Sequence, residues 1–295
     1  MSMSMTRRDF CAGMAAVASG TLFSPLGATA GDRLAEKLAA TEREIGGRLG
    51  ATIIDTHTGR RWLHRADERF PMNSTFKAFA AAAVLARVDR GEEDFKRQVP
   101  IRREDISNYA PVTERRIGGY MSLFELCEAA TTMSDNTAAN LITDSLGGPE
   151  GWTQFMRSIG DDVSRLDRKE PDMTEGRPGD PRDTTTPSAI TASLQTLTFG
   201  DVLQPASREQ FRRWLLDNKV GQPLFRSVLP SDWVIGDRTG AGGHATRGIV
   251  SVIWPAQRRP VLATVYVTQT RGRMADRNRA IAGIGTVMVE AINAA

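Results

Sequence analysis

The placement of strand-like runs constrains this chain more than any other feature. Two occur early, in "RLGATIIDTHTGRRWLHR", joined by a turn at Thr58-Gly59. Three occur late, in "WVIGDRTGAGG", "RGIVSVIWP" and "PVLATVYVTQT". Between them, from 71 to about 217, the apolar period is helical, over 74–89, 121–130, 134–146, 150–159, 187–199 and 207–217. Late strands joined by short turns must pair antiparallel. A lone hairpin is barely stable, so the early pair must join the same sheet. Helices over 32–46, with Asp32 as cap, and 276–293, apolar at Ile281, Ile284, Val287 and Ile292, then cover it. The expected fold is α/β (α+β): an antiparallel five-stranded sheet covered by terminal helices, plus an all-α subdomain. The first body takes residues 31–66 and 217–295, the second 67–216, including a loop over 165–183. A cleft between two such bodies suits a small ligand.

The 295 residues suffice for a well-buried core, and the net charge of +3 is spread without any long basic block. That excludes a nucleic-acid footprint. No apolar run reaches the length of a membrane span. Residues 1–30 read as a twin-arginine export leader. Arg7-Arg8 precede an apolar run, Cys11 to Phe23, and Ala28-Thr29-Ala30 forms a small-residue cleavage site. Cleavage after Ala30 would deliver a folded protein to the periplasm without a membrane anchor. It would also leave Cys127 as the one thiol, so no internal disulfide is expected and the core must supply the stability. Cys127 lies in the apolar "SLFELCEAA" and reads as a small buried hydrophobe. The histidines, His57 and His64 on expected strands and His244 near the Arg238-Thr239-Gly240 strand, have no metal-ligand spacing, so neither metal nor cofactor is expected.

"PMNSTFKAFAAAAVLARV" is a core helix interrupted by Ser74 and Lys77 in its first turn. Side chains at i and i+3 are neighbours. The Ser74 N–H lacks an intrahelical acceptor at an electropositive helix end, so the residue is placed both to attack and to stabilise an oxyanion. A buried amine sheds its proton more easily and can activate a hydroxyl. Seventeen Ser and five Lys give about 0.3 chance Ser-x-x-Lys matches in such a chain, so the motif alone is weak. Two further motifs follow in order: Ser134-Asp135-Asn136 at a helix start, and Arg238-Thr239-Gly240 on a strand running into glycines. Between them, "DRKEPDMTEGRPGDPRDTTTP", 167–187, holds four Pro and two Gly and is too long for an ordinary connection. Arg168 and Asp183 could pair and close it into an Ω loop.

With these motifs the chain resembles class A serine β-lactamases along nearly its whole length. The resemblance implies a monomeric enzyme acting on small-molecule β-lactams. Ser74 would be the nucleophile, Lys77 the proton carrier, Ser134 the relay to the ring nitrogen and Glu170 the activator of the deacylating water. Which of Lys77 and Glu170 takes the first proton stays open. Backbone N–H groups of Ser74 and Ala241 would form the oxyanion hole. The substrate carboxylate would rest on Thr239, Arg238 and Arg247, along the Gly240 strand. Asn136 would hold the side-chain amide, and Tyr109 in "NYAPVTE" would form the cleft edge. Glu170-Pro171 would be cis. Three departures bear on substrates. Arg238 replaces the commoner Lys, as in a carbenicillin-hydrolysing subgroup, which favours penicillins and carboxypenicillins. Thr174 stands where an Asn usually helps hold the water. Asn73 stands where carbapenemases carry a bridged cysteine, so carbapenem hydrolysis is not expected. A penicillin-binding DD-peptidase and a non-hydrolytic β-lactam sensor are the rivals. The first would lack a carboxylate over the serine, and the second usually carries a membrane span. A Ser-His-Asp hydrolase fails for want of a Gly-x-Ser-x-Gly elbow.

Overall fold

The computed structural model describes residues 30–295. The leader expected over 1–30 therefore lies outside the described residues, save Ala30 itself. Helix α1 (Ala30–Ile45) leads into β1 (Arg48–Asp55) and β2 (Arg61–His64). A largely helical stretch follows: β3 (Phe70–Pro71), α2 (Phe76–Asp89), β4 (Gln98–Pro100), β5 (Tyr120–Ser122), α3 (Leu123–Thr132), α4 (Asn136–Ser145) and α5 (Gly148–Ser158). It continues through β6 (Thr184–Thr185), α6 (Pro187–Phe199) and α7 (Pro205–Leu216). Strands β7 (Val234–Gly242), β8 (Thr246–Trp254) and β9 (Val261–Thr268) and helix α8 (Met274–Asn293) complete the chain. Among the described residues no helix is long and apolar enough to cross a membrane.

The five long strands form one antiparallel sheet in the order β2-β1-β9-β8-β7. The early pair joins the late strands through β9, from Arg48 opposite Thr268 to Asp55 opposite Val261. Strands β8 and β9 are buried at almost every position, because helices cover both faces. The two-residue period sorts their side chains. Ile249 and Ile253 pack with Leu34, Leu38 and Ile284 of the terminal helices. Val250 and Val252 face the helical body, with Phe76 and Phe79 of α2. Helix α2 is the axis of that body and is buried from Phe76 to Ala86, which is why its apolar residues run all the way round.

The structure differs from the sequence reading in three local ways. Two short ladders, β3 with β6 and β4 with β5, punctuate the body expected to be all-α apart from its long loop. Strands of two or three residues are too short to show a period. His57 does not lie on a strand. Its N–H and the Thr58 hydroxyl donate to the Asp55 carboxylate at 2.9 and 2.8 Å, and this aspartate-centred turn ends β1 first. His64 does lie on β2, with Nε2 3.0 Å from Glu42 Oε2. The helix expected from 74 begins at Phe76, after a 3₁₀ turn over Asn73–Thr75. Asn73 has φ +45°, outside the right-handed helical region, so a regular helix cannot start there.

Candidate active site

The tight turn at Asn73–Thr75 lifts Ser74 out of the core helix and into a cavity of about 300 Å³. The Ser74 hydroxyl donates to Glu170 Oε1 at 3.2 Å. One helical turn on, Lys77 is completely buried beneath the cavity floor. Its Nζ lies 3.1 Å from the same Glu170 oxygen. It also donates to the Ser134 carbonyl at 3.0 Å, to Ser134 Oγ at 3.4 Å and, in a very close bond, to Asn136 Oδ1. Burial pushes this amine down to about 8, against the attraction of Glu170 and with the help of the Arg238 charge. One connected chain therefore runs Ser74–Glu170–Lys77–Ser134.

Glu170 is delivered by the loop over 165–183. Arg168 Nε donates to Asp183 Oδ2 at 2.7 Å, the pairing expected from sequence. Asp183 Oδ1 also accepts the N–H groups of Asp167 and Arg168 at 2.7 and 2.9 Å. The Glu170-Pro171 bond is cis. Asn140 holds the Glu170 backbone from both sides: its Oδ1 accepts the Glu170 N–H and its Nδ2 donates to the Glu170 carbonyl, both at 2.9 Å.

Ser134 has φ +63° and sits just before α4. Asp135 caps that helix through the Ala138 N–H at 2.8 Å. The same buried carboxylate accepts from the N–H groups of Val112 and Thr113, both at 2.9 Å. It thereby ties the 109–113 loop to the Ser134 turn, and the Asn136 N–H donates to the Tyr109 carbonyl at 2.7 Å. Tyr109 lines the cavity and is 46% exposed, at its edge.

Strand β7 forms the opposite wall, with Thr239, Gly240 and Ala241 facing the cavity. Gly240 is required by close approach. A Cβ there would stand 2.8 Å from the Met72 carbonyl and 3.1 Å from the Ser74 nitrogen. Behind Thr239, Arg238 is fully buried, with Nη2 closely bonded to Ser134 Oγ, while its Nε and Nη1 have no protein acceptor. Beside it, buried Asp237 is paired by Arg226 Nε at 2.7 Å. Arg247 reaches in from β8, donating to Asn278 Oδ1 at 2.9 Å and to the Gly240 carbonyl at 3.2 Å. Burial pushes both Arg238 and Arg247 down to about 10, so the wall remains cationic at neutral pH.

The profile of the beta-lactamase enzyme family matches residues 33–292. Beta-lactamase AER-1 of Aeromonas hydrophila is 43% identical over 291 residues, covering 97% of this chain and 96% of that protein. The structure of an ancestral class A β-lactamase superposes with a TM-score of 0.86 at 55% identity, over 88% of this chain and 99% of that one. The chain belongs to the class A β-lactamases. A β-lactamase from Xanthomonas campestris is likewise similar, with a TM-score of 0.88 at 46% identity, covering 90% and 99% of the two chains.

This β-lactamase gathers every site residue expected from its sequence around one cavity, with Lys77 and Arg238 buried directly behind the lining. Thr174 is among the lining residues, but its hydroxyl proton is committed to the Pro171 carbonyl at 2.7 Å. His244 occupies the exposed turn between β7 and β8, away from the lining. The sequence reading missed the residues that hold others. Asn140 is one turn beyond Asn136 on α4, and that i, i+4 spacing was the signal available. Asn108, which accepts from Asn136 Nδ2 at 2.7 Å, and Asn278 had no local signal.

Proposed function

We propose that this β-lactamase hydrolyses penicillins, carboxypenicillins included, through an acyl-enzyme on Ser74 released by water that Glu170 activates. The observation that carries the reading is the 3.2 Å bond between Ser74 and Glu170 with Lys77 3.1 Å from the same oxygen. The Ser74 oxygen attacks the ring carbonyl while the Ser74 and Ala241 N–H groups receive the oxyanion. The ring C–N bond breaks, and the proton from Ser74 travels the connected chain to Ser134, which protonates the leaving nitrogen. Glu170 then takes a proton from water, the hydroxide attacks the ester, and the Ser74 hydroxyl is restored. Thr239, Arg238 and Arg247 hold the substrate carboxylate with charge-assisted bonds, and Asn136 its amide. Tyr109 closes the cleft edge. Thr174, its hydroxyl turned to Pro171, offers the water less than an amide would.

The atoms nearest Nζ of Lys77 are acceptors, which suits the ammonium and its three donors. With the amine at about 8, the ammonium persists below that pH and is lost above it. The kcat/KM for benzylpenicillin is expected to fall on the alkaline side with an apparent pKa near 8. A profile flat to about pH 10 contradicts this role for Lys77.

Arg238 supports the carboxypenicillin assignment, because its buried Nε and Nη1 have no protein acceptor and a guanidinium offers a wider fork than an ammonium. The test compares kcat/KM for benzylpenicillin, carbenicillin, a third-generation cephalosporin and imipenem in the wild type and in Arg238→Lys. Both penicillins should rank first and imipenem last. Arg238→Lys should lower carbenicillin relative to benzylpenicillin by about tenfold, the worth of one charge-assisted bond. Equal losses for the two penicillins would remove the assignment.

Export by the twin-arginine route, cleavage after Ala30 and a monomeric periplasmic product complete the proposal, supported by Arg7-Arg8 and Ala28-Thr29-Ala30. N-terminal sequencing of the periplasmic protein should begin at Gly31, and the product should elute as one chain. Unchanged export of Arg7→Lys/Arg8→Lys would argue for another route.

A further inference from the structure

A cavity of about 650 Å³ lies between the end of α1 and the start of α8, away from the chemistry above. Five cations line it: Lys37 and Arg43 from α1, Arg271 from the segment after β9, and Arg277 and Arg279 from α8. Two acids, Glu44 and Asp276, accompany them, so the local excess of three positive charges equals the net charge of the whole chain. Both acids are already engaged. Glu44 lies 4.0 Å from Lys37 Nζ, and Asp276 is closely paired with Arg279 while accepting the Arg273 N–H at 2.8 Å. Arg277 donates to the Thr246 and Arg273 carbonyls at 3.3 and 3.4 Å. Arg43 and Arg271 remain, exposed, with no acceptor for either guanidinium among the described residues. Thr270 Oγ, a buried atom on the same wall, also has no partner.

Uncommitted guanidinium forks beside an unpartnered hydroxyl match a tetrahedral oxyanion, to which Arg binds bidentately. The cavity is larger than one phosphate, which leaves room for the body that carries it. We propose that this cleft binds a phosphate group, with Arg43 and Arg271 as its main ligands and Thr270 Oγ as a supporting one. The site is independent of the catalytic reading.

The test is a titration of the full mature enzyme with inorganic phosphate at constant ionic strength, followed by backbone amide NMR. Saturable shifts are expected at Gly46 and Gly272, which line the cleft. In Arg43→Gln/Arg271→Gln, two exposed substitutions that spare the fold, the affinity read there should weaken about tenfold. Shifts confined to Ser74 and Ala241, or unchanged affinity in the double variant, would overturn the proposal. Sedimentation with phosphatidylglycerol vesicles, against phosphatidylcholine controls, distinguishes the sources. Co-sedimentation lost in the double variant supports a lipid headgroup; saturation by phosphate without co-sedimentation supports a soluble phosphomonoester.

Discussion

Glu170→Gln is expected to lower kcat for benzylpenicillin by about 10³-fold, the range of a lost general base. The substitution keeps the shape of the side chain and spares both Asn140 bonds, which are made to the Glu170 backbone. What disappears is the capacity to accept a proton from water, together with the charge opposite Lys77 at 3.1 Å. Rapid-mixing kinetics separate the two half-reactions. A burst of about one equivalent followed by near-arrest would show that acylation proceeds without the carboxylate while deacylation needs it, and loss of the burst as well would place both transfers with Glu170. A kcat within about tenfold of wild type would remove Glu170 from the reaction.

The second large effect is expected from Asp183→Ala. Asp183 is buried and accepts three bonds that close the loop, from Arg168 Nε and from the N–H groups of Asp167 and Arg168. Its removal leaves two backbone donors without their partner and Arg168 with only Glu175, at 2.7 Å. Breaking a buried pair costs about 3–5 kcal/mol, which for a chain of this size lowers Tm by roughly 5–10 °C. The effect should also reach the chemistry, because the same closure carries Glu170. Deacylation should slow about 10²-fold, as expected when a catalytic group is misplaced by about 1 Å. Thermal unfolding and single-turnover kinetics check both parts. An unchanged Tm, or a lower Tm with wild-type deacylation, would uncouple loop closure from Glu170 placement.

Much of the fold could be read from the sequence, because its signals are periodic and long. The runs at β8 and β9 are largely apolar over 249–254 and 261–267 since both faces of the sheet are covered, and the helical stretch shows its period plainly. The short ladders and the turn at Asp55 carry no periodic signal, and they are where the reading missed. The site residues were legible as motifs. Ser74, Lys77, Ser134 and Asn136 owe their positions to two helix starts, which leave local marks. Their supports do not. Asn278 reaches Arg247 from α8, 31 residues away, and Asp135 ties the 112–113 loop from 22 or 23 residues away. Such pairings depend on tertiary approach. The Arg168–Asp183 closure was visible because opposite charges flank a segment too long to be an ordinary connection.

The account stands on a covalent intermediate formed at one hydroxyl and released by one carboxylate. Acid-quenched mass spectrometry with peptide mapping, on Glu170→Gln mixed with benzylpenicillin, reads that intermediate directly. The prediction is a single penicilloyl group on the peptide that contains Ser74, absent from Ser74→Ala and cleared rapidly in the wild type. An adduct mapped to another residue, or turnover in Ser74→Ala, would contradict it.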